Sequence, residues 1–261
     1  MIMPIRFADP TVTPAPAVGS DQHPIVRSIV LHLLPGALAT LAFVTLAPVV
    51  MRAGFPPLMA MVLAALLVVV PFELGVVLLA GWRRSGSIGL SAVQYRERLS
   101  WRQYALLVPL LFVGSNLVAA PAALLAPQII ANLFGWLPSW FVFADVTQYV
   151  AYDRSALIIT MIAVMIVIVV IAPIVEEIYF RGYLLPRLGR FGAFAPIINV
   201  VLFAVYHFWQ PYAVLTIVLA MLPLAYVAQR TRNIYVGMIV HCLTNLIGNG
   251  LLFAVVLNGG T

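Results

Sequence analysis

The chain has 261 residues, of which 64% are hydrophobic and 8% are charged, with a formal net charge of +6. Soluble domains carry about 25% charged residues, so this composition excludes an ordinary soluble domain and predicts one polytopic membrane domain. All 14 basic residues are arginines scattered over short loops, which argues against a nucleic-acid-binding face. The one cysteine, Cys242, excludes an internal disulfide.

Residues 1–27 are rich in proline, alanine and threonine and are predicted to form a flexible tail rather than a signal peptide. Seven apolar stretches follow, which predict an all-α bundle of about seven transmembrane helices. Residues 128–152 are apolar but broken by proline and aromatic side chains, so we predict an interfacial segment there, with an eighth span as the alternative. The predicted spans are 28–50, 57–81, 104–126, 156–188, 193–210, 212–229 and 233–257.

The placement of arginines predicts the orientation of these spans. Seven crossings put only Arg52 and Arg154 on one side of the membrane, and the other loop arginines on the opposite side. Positively charged loops remain in the cytoplasm, so the N-terminus is predicted to be cytoplasmic. We expect an integral protein of a bacterial cytoplasmic membrane.

Three charged residues, Glu176, Glu177 and Arg181, end an apolar run from Ala156 to Val175 that contains no charge. A charge at membrane depth costs about 2.5–3.5 kcal/mol on insertion scales, so ionisable residues there indicate a functional site. Glu177 and Arg181 are four residues apart and can pair on one helix face. Glu176 has no cation at that spacing, which makes it the better candidate for a general base.

Other polar residues reach a similar predicted depth from two further spans. At 1.5 Å per residue, Glu177 lies ~17 Å, His207 ~21 Å, His241 ~12 Å and Asn245 ~18 Å from the inner ends of their helices. The four-residue spacing places Phe203 against the His207 ring and directs His241 and Asn245 to one point. A carboxylate that activates water, together with donors for an oxyanion, is what amide hydrolysis requires.

Two further possibilities concern zinc and a second carboxylate. Glu176, His207 and His241 could ligate zinc, but the sequence has no HExxH motif, so we favour no cofactor and keep zinc as the alternative. Glu73 is predicted to line the substrate chamber or to bond to a neighbouring helix. The remaining polar residues are assigned to packing or solvent contact: His23, His32, Asn199, Cys242 and Asn249.

Three motifs in chain order resemble those of the CAAX prenyl protease and bacteriocin-processing (CPBP, or Abi) family, which includes the Ras-converting type II CAAX endopeptidase. The resemblance covers about residues 155–250. It implies that 155–257 form a catalytic helical core and that 28–154 form the N-terminal helices and loops of the same membrane domain. The motifs are Glu176-Glu177-x-x-x-Arg181, Phe203-x-x-x-His207 and His241-x-x-x-Asn245.

The resemblance implies an intramembrane endopeptidase that works without a metal ion. Glu176 would activate the attacking water with help from His207, and His241 and Asn245 would form the oxyanion hole. The residues that shape the site and support substrate binding would be Glu177, Arg181 and Phe203. The partner would be a membrane-embedded or lipid-linked peptide cut near the cytoplasmic face. The alternatives are a non-proteolytic membrane scaffold or bacteriocin-immunity protein, and a transporter with a proton-coupled carboxylate.

Overall fold

The computed structural model describes residues 22–143 and 145–257, and the regular structure in these residues consists of helices without strands. This confirms the all-α prediction. Of the predicted tail at 1–27, residues 1–21 lie outside the described residues. The first helix begins at Ile25. Within the described residues, apolar side chains from every helix contribute to one continuous core.

Seven helices follow one another along the described residues: α1 (Ile25–Arg52), α2 (Pro57–Ser85), α3 (Trp101–Leu133), α4 (154–184), α5 (Ala195–Tyr206), α6 (Val214–Thr231) and α7 (Tyr235–Leu257). Short 3₁₀ segments connect them at Ser139–Phe141, Val146–Ala151, Leu185–Phe194 and Pro211–Ala213. Six stretches in this part of the chain are long and apolar enough to cross a membrane, because α4 and α5 belong to one continuous stretch of 53 residues, Arg154–Tyr206.

That long stretch is broken where the predicted fourth and fifth spans meet. A straight helix of this length would extend ~80 Å, more than twice the ~30 Å hydrocarbon core. The chain reverses at Gly192, whose φ of 54° and ψ of −122° are accessible to glycine and unfavourable for other residues. The end of α6 supports the reversal, since Gln229 Nε2 donates to the Gly192 carbonyl at 3.0 Å.

Helix α5 is shorter than the predicted span 193–210. Its 12 residues extend ~18 Å, which is too short to cross the hydrocarbon core alone. It ends at Tyr206, and the turn 207–213 leads directly into α6. Because the helix ends at Tyr206, His207 begins a turn, and the polar groups of this turn are available inside the bundle.

Two of the long helices widen into π-helical turns just before a proline. In α2 the turn Ala65–Val69 precedes Pro71, and in α4 the turn Val167–Ile171 precedes Pro173. Proline has no N–H and its ring clashes with the carbonyl four residues earlier, so a wider turn accommodates it. A third π segment, Glu177–Leu184, follows in α4. These turns change which side chains share a face, so spacing alone does not fix their directions.

Residues 128–152 contribute no further crossing helix among the described positions. Helix α3 continues through Pro127 and ends at Leu133, seven residues beyond its predicted end at 126. Proline is tolerated there because neighbouring groups in a membrane bundle can satisfy the freed carbonyl. Short 3₁₀ turns follow, and they pack aromatic rings against α1: the centroids of Phe141 and Phe143 lie 5.4 Å and 5.2 Å from that of Phe43. This segment therefore covers one end of the bundle.

The arginine-bearing loops lie together at one end of the bundle, as the asymmetry of the sequence requires. Arg96 pairs with Asn233 in an isolated antiparallel bridge, which joins the α2–α3 loop to the α6–α7 turn. Arg187, after α4, donates to the carbonyl of Ala92 in the same loop at 3.4 Å. Three arginine-containing connections thus form one face.

Helices α1 and α5 approach closely at Gly36. A Cβ atom added at this position would overlap with the backbone carbonyl of Tyr206, so glycine is required for the contact. The carbonyl belongs to the last residue of α5, next to His207. Close packing at Gly36 therefore also sets the position of the turn that carries this histidine.

We expect Gly36→Ala to lower the free energy of unfolding by about 1–3 kcal/mol, the usual cost of overpacking. The matched control is Gly75→Ala, because a Cβ there would have no neighbour within 4 Å. Thermal unfolding of both variants in detergent micelles checks the prediction. Equal midpoints for the two variants would show that α1 and α5 can separate without cost.

Candidate active site

A cavity of about 290 Å³ lies between α2, α4, α5, α6 and α7. Glu176 from α4, His207 at the end of α5, and His241 and Asn245 from α7 line its polar side. The structure therefore brings together the four residues that the sequence predicts to be catalytic. The lining also includes apolar side chains from α2, α6 and α7: Leu58, Met61, Val69, Ile217, Met221 and Leu252.

Glu176 presents its carboxylate to this cavity while 6% of the residue's surface remains exposed. The Tyr206 hydroxyl donates to Glu176 Oε1 at 3.2 Å. The other oxygen, Oε2, lies 3.8 Å from His241 Nε2, a distance that leaves both atoms able to contact a third group. The carboxylate is thus held from one side and accessible from the other.

Glu177 is adjacent in sequence but has a different environment. It is fully buried and does not line the cavity. Its Oε1 lies 3.6 Å from Arg181 Nε and 3.3 Å from His241 Nδ1. Its Oε2 faces Gly237 of α7, where an added Cβ would come within 2.7 Å. Adjacent residues of a helix point about 100° apart, so the two glutamates are directed to different neighbours.

Arg181 is also fully buried, and its charge is balanced mainly without hydrogen bonds. Besides the 3.6 Å contact with Glu177, its guanidinium carbon lies 4.3 Å from the centroid of the Phe203 ring. A cation over an aromatic face is stabilised most strongly where water is excluded. Phe203 thus contacts the buried cation, in agreement with its predicted supporting position.

His207 is fixed in one neutral tautomer by the end of its own helix. Its Nδ1 lies 2.8 Å from the Phe203 carbonyl, and because a carbonyl only accepts, Nδ1 must carry the proton. In the neutral ring Nε2 is then an acceptor. The Phe203 ring contacts the imidazole edge-to-face, with centroids 4.8 Å apart and an interplanar angle of 80°.

Asn245 is positioned by the π turn of α4. Its Nδ2 donates to the Ile168 carbonyl at 3.0 Å. In a π turn the partner of this carbonyl would be the N–H five residues later, but that residue is Pro173, which has none. Asn245 supplies the missing donor, and its second N–H remains for another acceptor. Asn249 donates to the Asn245 carbonyl at 2.9 Å.

Glu73 of α2 lies behind the polar side of the cavity and is not part of its lining. It is fully buried and interacts electrostatically with Glu176 and Tyr206. Neither carboxylate oxygen has a hydrogen-bond partner within the described residues. The site thus contains a third carboxylate, separated from the cavity by the tyrosine.

Sequence reasoning missed Tyr206 and Gly237. Tyr206 carries no motif signal, since its only distinction is to precede His207. Gly237 could have been found, because it lies four residues before His241 and therefore on the same helix face. Asn199 and His32, which the sequence analysis assigned to packing or solvent contact, lie away from the cavity. They bind each other through Asn199 Nδ2 and His32 Nε2 at 3.0 Å.

The geometry also bears on the zinc alternative. Within the described residues, no group of three or more histidine, cysteine, aspartate or glutamate side chains is arranged to hold a metal ion. The metal-free reaction stays a prediction, and the removal of metal from the purified protein tests it.

We expect Arg181→Met to lower the free energy of unfolding by about 3–5 kcal/mol, because it leaves Glu177 buried without its cation. The double variant Glu177→Gln, Arg181→Met removes both charges and should recover most of this loss. Thermal unfolding of the single and the double variant in detergent measures the loss and its recovery, with Arg98→Met in the exposed loop as the control. A double variant as unstable as the single one would contradict the pairing.

The comparisons with known proteins agree with the motifs. Residues 158–247 match the family model described as type II CAAX prenyl endopeptidase Rce1-like. The match contains all three motifs and the four candidate catalytic residues, and it leaves α1, α2 and α3 outside. No curated protein and no solved structure gave a match. Residues 158–247, about a third of the chain, thus resemble an Rce1-like domain, and the chain is an integral membrane protein.

Proposed function

We propose that the chain hydrolyses a peptide bond with a water molecule activated by Glu176. The observation that carries this proposal is the cavity on which Glu176, His207, His241 and Asn245 converge from three helices. A carboxylate within reach of water, beside groups able to hold an oxyanion, is the minimal apparatus for this reaction. The family match supports the same reaction class.

In the proposed first step, Glu176 takes a proton from water while the oxygen attacks the carbonyl carbon of the scissile bond. His207 Nε2 accepts the second water proton in a hydrogen bond, because Nδ1 already donates to Phe203. The Tyr206 hydroxyl holds the carboxylate in place from its other side. Glu176 then passes its proton to the leaving nitrogen as the C–N bond breaks, which yields an acid and an amine.

The negative charge that develops on the carbonyl oxygen needs donors at the same place. His241 offers Nε2–H when both ring nitrogens are protonated, and Glu177 holds the ring through Nδ1 at 3.3 Å. Asn245 offers the N–H that it does not use for Ile168. Donors placed before the reaction stabilise the oxyanion without further reorganisation. Glu177 and Arg181 thus position His241 and do not themselves contact the substrate.

The substrate we propose is a membrane-embedded or lipid-linked peptide segment. The apolar side chains of α2, α6 and α7 in the cavity lining accommodate hydrophobic side chains of a substrate. The arginine-rich face lies beyond the end of α4 at Leu184 and before the start of α7 at Tyr235, and Glu176 and His241 are closer to these helix ends than to the opposite ones. Positively charged loops remain in the cytoplasm. We therefore propose cleavage nearer to the cytoplasmic face of a bacterial membrane, with the N-terminus on that side.

Glu176→Gln should reduce turnover by about 10²–10⁴-fold, the usual contribution of a general base, and leave the thermal midpoint nearly unchanged. The N-terminal peptidome of membranes carrying the wild-type or variant protein measures the loss and identifies the cleaved bonds. Glu97→Gln is the matched control, because that carboxylate lies on the exposed loop.

The same experiment distinguishes the proposed protease from a scaffold or immunity protein. A scaffold would keep its cellular effect in the Glu176→Gln, His207→Ala and His241→Ala variants and would leave the peptidome unchanged. Full cleavage by purified Glu176→Gln protein would contradict the proposed role of this residue.

Metal removal should leave the activity intact. We expect the purified protein to keep its rate after dialysis against EDTA and 1,10-phenanthroline, since the proposed step uses only side chains and water. Elemental analysis of the dialysed sample confirms that metal is absent. A loss of activity that zinc restores would instead support the zinc-dependent version of this protease.

A further inference from the structure

A second cavity, of about 420 Å³, lies at the arginine-rich end of the bundle. It shares no lining residue with the active-site cavity. We call it the basic pocket, and its polar lining consists of His23, Arg27, Arg83, Arg84, Tyr183 and Arg187. We propose that the basic pocket binds the phosphate of an anionic phospholipid headgroup, an interaction that goes beyond the proposed protease function.

The charge of the basic pocket favours an anion. Four guanidinium groups from α1, α2 and the segment after α4 line one space, and no acidic side chain is among the lining residues that the structure describes. Like charges that line one cavity repel one another, and a phosphate placed between them offsets this repulsion. Arginine also matches phosphate geometrically, because its planar fork donates two parallel hydrogen bonds.

One arginine of the basic pocket is held rigidly. Arg187 is 4% exposed, and its Nη1 donates to the Tyr183 carbonyl at 2.6 Å. Its guanidinium carbon lies 3.8 Å from the centroid of the Tyr183 ring, and both terminal nitrogens approach the Ala92 carbonyl at 3.4 Å. Arg83 and Arg84, by contrast, are exposed and can adjust to a ligand. A fixed cation with movable neighbours is suited to a headgroup of variable size.

The surroundings indicate a lipid rather than a soluble phosphate. The pocket lies where α1 begins and α2 ends, which is the level of the headgroups for helices that cross the hydrocarbon. Directly beside it the helix surfaces are apolar and exposed, with Val26 68%, Leu79 46% and Trp82 52% accessible. Acyl chains can cover this surface while the phosphate occupies the pocket. Basic pockets between membrane helices on the cytoplasmic side recognise anionic headgroups in this way.

The test compares lipid binding by the full chain and two double variants in phosphatidylcholine nanodiscs, with and without phosphatidylglycerol. We expect phosphatidylglycerol to raise the thermal midpoint of the wild-type protein and to remain bound in native mass spectrometry. Arg83→Gln, Arg84→Gln should weaken phosphatidylglycerol binding roughly tenfold, since each basic residue contributes to the attraction. The matched control is Arg98→Gln, Arg102→Gln, which removes two exposed charges outside the basic pocket.

Three outcomes would overturn the proposal. Unchanged phosphatidylglycerol binding by the Arg83, Arg84 variant would show that the pocket is not the site. An equal loss in the Arg98, Arg102 variant would show that the effect is general surface charge. Stabilisation by glycerol phosphate in plain phosphatidylcholine nanodiscs, equal to that by phosphatidylglycerol, would assign the pocket to a soluble anion. Binding is measured without substrate, and the Glu176→Gln protein should bind phosphatidylglycerol like the wild type. The lipid-binding result therefore does not depend on whether the protein is a protease.

Discussion

The buried guanidinium of Arg181 holds three helices of the bundle together. On its own helix it faces Glu177, through Glu177 it reaches His241 of α7, and it contacts the Phe203 ring of α5. A charge at this depth is stable only with such partners, since an isolated ion would have to leave water at large cost. The position of His241 is thus a consequence of how the protein neutralises one cation.

Irregular helix geometry positions the other polar side chains of the cavity. A π turn before Pro173 leaves a carbonyl that Asn245 satisfies. Helix α5 ends early, so His207 lies at a helix end and is anchored by a backbone carbonyl. In a regular helix each backbone carbonyl would be paired with an N–H group of the same helix, and no carbonyl would remain to hold these side chains. Departures from regularity are therefore what make polar groups available inside an apolar protein.

The molecule separates its two polar regions along the same helices. The candidate active-site cavity lies between the helices, and the basic pocket lies near the helix ends. Tyr183 of the basic pocket stacks on Tyr179, and Tyr179 in turn interacts electrostatically with Glu73 behind the active site. Aromatic side chains thus fill the space between the two regions. This arrangement keeps the arginines of the basic pocket near the helix ends and the three carboxylates, with Arg181, within the core.

The sequence by itself determined the class of the fold, the approximate spans and the four candidate residues that meet at one cavity. These follow from local properties: apolar length, four-residue spacing, and the cost of Glu176 and Glu177 in a membrane. Only the tertiary structure decided that α5 stops at Tyr206, that Tyr206 binds Glu176, and that Gly237 makes room for Glu177. These features depend on contacts between helices far apart in the chain. A π turn shifts such contacts by one residue, and no periodicity in the sequence records that shift.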